Sequence, residues 1–377
     1  MAMGKLGEKS PKFWWEKIDK MKTLVIGYGH PFNDKRVMRT VMALKKLGTV
    51  YYQYAGNSEE LIDGVKTFPL KKPYAKNPLR RYIQRGEFDR KILRLVETLD
   101  YDLVYFHYFP ASMPLKIFRS AKKRRKTLVY ELHEIIPIQF LTEKYEFLSF
   151  AMWNVFKKQL QLSDATVCVS KEALDFMLEK TEINRPSFIL PSYASKSFTP
   201  KPKELRKKEI VYVGKVQRST KNEKVLLLNL KSKGFTLKSI GMNWNIADIS
   251  IPFLPYPDMM KKVASSAFSL ISFQSRKDIN YPNDIYSLPN KLFDSVAAGT
   301  PVIVNSRFKS MVSLVKKYNV GILIGTTQPV HFITKKIVEA WNNYETLLKA
   351  VKLNNRHFVW DEKKEQEFIN FILEVIR

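Results

Sequence analysis

Residues 287–301, SLPNKLFDSVAAGTP, followed by the apolar run Val302-Ile303-Val304, leave this chain few folds to choose from. Pro289 stands where a first helical turn tolerates proline, and Gly299 stands where a helix stops. Between them Leu292, Phe293, Val296 and Ala297 form one stripe, so a short helix must bury that face against something large. The strand-like run FSLISF (268–273) precedes it and PVIV follows, which makes strand, loop, helix and strand one unit of a parallel sheet. In such sheets ligands sit outside the carboxyl ends of the strands, so the loop before Asn290 borders a candidate crevice. The helix start there offers unpaired N–H groups and a partial positive charge, an anion site before any side chain is counted.

A chain of 377 residues predicts about two domains, and 45% apolar residues suffice for packed cores. No segment reaches the roughly 18 uninterrupted apolar residues of a membrane span. Residues 1–20 lack the apolar core of a signal peptide. The single cysteine, Cys168, sits in the apolar run ATVCV, has no partner within the chain, and reads as a small buried hydrophobe in a reducing compartment. With 64 Lys+Arg against 36 Asp+Glu the net charge is +28, which predicts anionic partners: nucleic acid, anionic lipid or phosphorylated small molecules.

Residues 1–20 mix Phe13, Trp14, Trp15 and Ile18 with lysines, a pattern that fits an amphipathic helix on an anionic membrane surface as well as one packed on the protein. A first buried strand follows from Thr23, ended by Gly27 and Gly29, and the loop through His30 lies at its carboxyl end. Further strands are expected at 49–54, 102–107 (ending in His107), 127–134, 165–169 and 188–190. The strand 127–134 turns polar at Glu131, His133 and Glu134, as an active-site wall would. Between the second and third strands, residues 71–94 hold nine basic and two acidic side chains with Tyr74, Tyr82 and Phe88 interleaved. This patch reads as a lipid-headgroup or phosphate surface, or as a solvated helix face. After a proline- and lysine-rich linker at 192–208, a second series of strands begins at 210–214 and ends at 321–324. The pattern describes an α/β chain with two doubly wound domains. The expected division is a basic N-terminal segment (1–20), a first Rossmann-like domain (21–195), a second (196–355), and a C-terminal helix (356–377) packing back across them.

Taken in order, LHE around His133, VYVGK at 211–215 with Lys221 after it, PNKLFDSVAAGTPVIV, and the late Phe358-Val359-Trp360-Asp361 before a closing helix resemble the GT-B glycosyltransferases, most closely glycosyltransferase family 4. The resemblance implies two Rossmann-like domains facing a cleft and a retaining transfer of sugar from a nucleoside-diphosphate donor to a glycan or lipid-linked acceptor. It implies Lys215 and Lys221 on the donor diphosphate, helped by Asn290 and Lys291, and Asp294 on the nucleotide ribose. Tyr286 stands where the family carries a carboxylate toward the donor sugar. His133 matches the family histidine facing the reacting sugar, with His107 and Glu134 as further catalytic candidates. Gly29 and His30 lie in the family's acceptor loop, without its usual paired glycines. No cofactor beyond the sugar nucleotide is implied. No metal is implied either, because the five histidines show no His-x-x-x-His spacing. An epimerase of the same fold and a basic nucleic-acid-binding protein are the alternatives, although no RNA- or DNA-reading module is recognisable and a nucleic-acid partner is not expected. The expected location is the cytoplasm, peripheral on the inner face of the cell membrane.

Overall fold

In a computed structural model of the chain, the described residues are 21–377 except 74–75, 141–146, 215–222, 277 and 326. The N-terminal segment 1–20, Lys215 and Lys221 therefore lie outside the described residues. The chain divides into two compact units. The first takes in the residues through Cys168, Met177–Phe188 and Glu362–Arg377; the second takes in Val169–Phe176 and Ile189–Asp361.

The first unit is built on β1 (Met21–Pro31), β2 (Gly48–Ala55), β3 (Val65–Leu70), β4 (Leu103–His107), β5 (Thr127–Leu132), β6 (Ala165–Cys168) and β7 (Ser187–Ile189), in the spatial order β3-β2-β1-β4-β5-β6-β7. Its helices are α1 (Lys35–Lys45), α2 (Pro78–Thr98), α3 (Pro114–Lys123), α4 (Ile136–Phe140), α5 (Ser149–Leu162) and the C-terminal α14 (Glu362–Ile376), while α6 (Lys171–Thr181) begins in the second unit and ends in the first. Leu24, Val25 and Ile26 are buried in succession, so both faces of the central strand are covered, as a parallel sheet requires. The strand order reverses between β1 and β4, which makes their carboxyl ends the place where such a sheet opens to ligands.

Three expectations need correcting here. Strand β3 has no counterpart in the sequence reading, because Gly64 and Pro69 interrupt its pattern; as an edge strand it tolerates the proline. Strand β1 does not end at Gly27 and Gly29 but runs on to Pro31 through a register shift, and it is Tyr28, not a glycine, that takes the left-handed conformation at φ 51°. Gln53 makes this tenable: its side-chain oxygen accepts from the Tyr28 N–H (2.9 Å), and its amide donates to the Tyr28 carbonyl (3.2 Å). Strand β5 stops at Leu132, and Glu131, expected on an open wall, is almost wholly buried. A sheet covered on both faces has no exposed side for an alternating polar residue, so Glu131 is held by partners instead.

The second unit carries β8 (Lys207–Val213), β9 (Thr236–Ile240), β10 (Ile249–Ile251), β11 (Ser266–Ile271), β12 (Val302–Asn305) and β13 (Gly321–Ile324), all parallel, in the order β10-β9-β8-β11-β12-β13. Its helices are α7 (Lys224–Ser232), α8 (Tyr256–Ala264), α9 (Pro282–Ile285), α10 (Asn290–Ala297), α11 (Lys309–Tyr318), α12 (Val330–Asn342) and α13 (Tyr344–Asn354). Helix α10 is the helix expected between Pro289 and Gly299. Leu292, Phe293 and Val296 pack with Ile271, Val302 and Val304 of the flanking strands. Pro289 stands at the N-cap position without a capping side chain, and Gly299 turns the chain at φ 80°, where a Cβ would stand 2.7 Å from the Pro200 backbone. The strand order here reverses between β8 and β11. Among the described residues, no helix is long and apolar enough to cross a membrane.

Candidate functional site

Each unit gathers polar side chains at its own reversal point. In the first, the register pairs His107, the last residue of β4, with Glu131 of β5, so two residues 24 apart in sequence become neighbours. Glu131 accepts from the Tyr105 hydroxyl (2.6 Å), from His107 Nδ1 (3.2 Å) and from His133 Nε2 (2.9 Å). A carboxylate only accepts, so both histidines present N–H groups to it, and the 3.4 Å approach of His107 Nδ1 to His133 Nε2 follows from sharing one acceptor. Burial alone would raise the Glu131 carboxyl; His107 and His133 outweigh it and hold it well below the ordinary range. Burial pushes His133 down to about 3, reinforced by the Arg36 charge and opposed by Glu131, so its ring is neutral near pH 7. Its Nδ1 and the Nε2 of His107 have no hydrogen-bond partner among the described residues.

His30 joins this cluster from the extended end of β1. Its ring meets the edge of His133 at 4.9 Å, and its Nδ1 lies 3.0 Å from Asp34. Asp34 caps α1, accepting from the N–H groups of Arg36 and Val37. Burial would raise its carboxyl, but His30 and Arg36 together hold it below the ordinary range. Gly29 lies beside this group, its carbonyl accepting from Lys72 (3.4 Å), and Glu134 is half-buried in the bend after His133. The fold thus brings His30, His107 and His133 together around a carboxylate that local spacing does not reveal. The ligand atoms of His107, Glu131 and His133 lie within 4.8 Å of one another, a donor set that local His spacing also misses. Cys168 is buried as expected, its thiol pushed up to about 12 by burial and by Glu131.

In the second unit, Lys291 enters the reversal point from the first turn of α10. Its Nζ donates to the Ser272 carbonyl beyond β11 (2.8 Å) and to the Tyr212 hydroxyl on β8 (3.2 Å), and it sits 4.2 Å over the Tyr212 ring. The helix itself starts without a side-chain cap, and Asn290 is exposed at its first position. The sequence places a candidate anion site at this first turn, and the structure shows its start without a side-chain cap. Burial raises the carboxyl of Glu223, against the Ser272 hydroxyl and the pull of Arg307 and Lys291; no sequence motif marks this acid.

Asp294, on the buried side of α10, accepts from the Tyr256 hydroxyl at 2.8 Å. Burial and this carboxylate together raise the Tyr256 phenol. Tyr286 closes α9: its carbonyl accepts from Ser170 (2.8 Å), its ring packs on Phe176, and the Lys309 ammonium lies 5.7 Å over it. Two positions earlier Asp284 is buried and accepts from the Ser275 N–H (2.7 Å), a carboxylate near the Tyr286 position that the fixed spacing of the family pattern passes over.

The model of Glycosyltransferase Family 4 matches residues 38–191. No curated protein matches the sequence. Among solved structures, the sucrose-phosphate synthase of Thermosynechococcus elongatus is similar at a TM-score of 0.69 and 12% identity, covering 94% of this chain and 99% of its own. WaaG, a glycosyltransferase involved in lipopolysaccharide biosynthesis, gives 0.63 at 10% identity, with 93% and 99% covered. HepE of Anabaena in complex with UDP gives 0.60 at 11% identity, with 94% and 100% covered.

Proposed function

We propose that this chain, which has the fold of the GT-B glycosyltransferases and resembles glycosyltransferase family 4, transfers a sugar from a nucleoside-diphosphate sugar to a glycan or lipid-linked acceptor with retention at the anomeric carbon. One observation carries the reading: an uncapped helix start and a lysine occupy the point where the second sheet opens to ligands. As the bond from the anomeric carbon to the phosphate oxygen breaks, negative charge gathers on the departing diphosphate. The α10 N–H groups and Lys291 stabilise it, and the family resemblance adds Lys215 and Lys221 to the same role. Asp294, a carboxylate that also accepts from Tyr256, is the acceptor for the ribose hydroxyls.

In the first unit, neutral His133 is held by Glu131 through Nε2, which leaves Nδ1 as the acceptor of a ring that orients the substrate without becoming a nucleophile. Glu131, the carboxylate bonded to His133, is engaged by three donors, which favours a retaining step in which the acceptor hydroxyl attacks on the face the phosphate leaves and gives that phosphate its proton. Thermal unfolding with a panel of nucleoside diphosphates tests the donor assignment. One of them at about 100 times its Kd should stabilise the protein by about 2.7 kcal/mol, and Lys291→Ala should remove about half of the shift or more. A panel without any shift rejects the reading.

A further inference from the structure

Helix α2 changes character along its length. From Phe88 onward it is anchored, with Phe88, Ile92, Leu93 and Val96 buried. Residues 79–84 are exposed throughout. Yet Leu79, Tyr82 and Ile83 are apolar, 68%, 70% and 50% exposed, and share one face at i, i+3 and i+4. Gly86 continues that face with open space where a Cβ would stand. On one flank, Tyr82 and Arg85 line an apolar slot of about 460 Å³ together with Leu148, Ala151 and Met152. Phe147 and Phe150, beside Leu148 in the chain, are 78% and 79% exposed. On the other flank, Lys71, Lys72 and Lys91 line a second groove.

Apolar projection and cations thus alternate on one surface. Of the two acids among the nine bases of 71–94, Asp89 is buried, bonded to the Tyr28 hydroxyl (3.0 Å) and to Ser112, which leaves Glu87 alone to offset the charge. Cations bordering exposed Leu, Ile, Tyr and Phe fit a boundary between an anionic layer and hydrocarbon. A nucleic acid supplies phosphates but no hydrocarbon in which Leu79, Ile83 and Phe150 leave water.

We propose that the first turns of α2, with residues 147–150, dock on the surface of an anionic phospholipid bilayer. Docking of this kind stands whether or not the chain transfers sugar. The experiment is co-sedimentation of the full chain with vesicles of phosphatidylcholine containing about a third phosphatidylglycerol, against pure phosphatidylcholine. Wild type should bind the anionic vesicles, and high salt should release it. The double variant Arg80→Gln, Arg90→Gln should weaken binding by about tenfold or more, and Ile83→Ser, Phe150→Ser by about tenfold through lost apolar insertion. All four side chains are exposed, so the unfolding midpoint of each variant should stay at the wild-type value. Binding unchanged in both variants places docking elsewhere in the chain and overturns the proposal. So does loss in the arginine variant alone, which marks charge-only affinity for polyanions such as RNA, or failure of wild type to bind.

Discussion

The two sheets run in the same order around their reversal points, and the chemistry placed there differs in kind. In the first unit the point between β1 and β4 holds His30, His107, His133 and Glu131, groups that carry or release a proton. In the second, the point between β8 and β11 holds a fixed cation, Lys291, and an open helix start. One topology provides the location in both cases, and the residues at the strand ends decide its use. A buried, mutually hydrogen-bonded cluster suits positioning of a sugar; a lysine beside a helix start without a side-chain cap suits a diphosphate.

The sharpest way to break this contrast is Glu131→Ala, which strips the acceptor from Tyr105, His107 and His133 together. Removing one partner from such a buried network costs about 3–5 kcal/mol, and denaturant unfolding should report it; a loss under about 1 kcal/mol would show that the network contributes little. His133→Ala should lower turnover by about 100-fold while nucleotide affinity by calorimetry stays near wild type. Wild-type turnover in that variant denies the histidine a role. Lys291→Ala should do the reverse, weakening nucleoside-diphosphate binding by about tenfold to a hundredfold, the worth of charge-assisted bonds. Tyr256→Phe removes one bond to Asp294 and should weaken nucleotide binding by about fivefold at most.

A pH titration separates the units further. His133 titrates near 6.5 unfolded and near 3 folded, so the unfolded chain binds the extra proton between those values. Its contribution to stability is complete above about pH 6.5 and is lost as pH falls toward 3. Glu131, held low when folded, adds a contribution present above its unfolded value of 4.5 and lost below it. His133→Gln should flatten the first part of this decline, measured by denaturant unfolding from pH 7 to pH 5. A slope identical to wild type would mean that the ring is not held neutral.

Much of this was legible in the sequence because the two signals are local. Helix α10 announces itself by its proline, its stripe and its glycine, and strands such as β11 and β12 by unbroken apolar runs. His133, His107 and His30 were visible as polar residues at strand ends. Their meeting was not, since it depends on the register that sets His107 opposite Glu131. Glu131 itself looked like part of an exposed wall, because alternation distinguishes faces only in a sheet with one face open to water. Tyr28 escaped notice because a tyrosine at positive φ needs Gln53 from another strand to hold it. Strand β3 hid behind its own proline.

The most direct measurement is nucleoside-diphosphate release from a panel of diphosphate sugars by the full chain, with and without added glycan and lipid acceptors. The account expects one sugar nucleotide to be turned over, acceptor to accelerate it, and both His133→Ala and Lys291→Ala to suppress it. Failure to release nucleoside diphosphate from any donor, or release that both variants sustain at the wild-type rate, would contradict it.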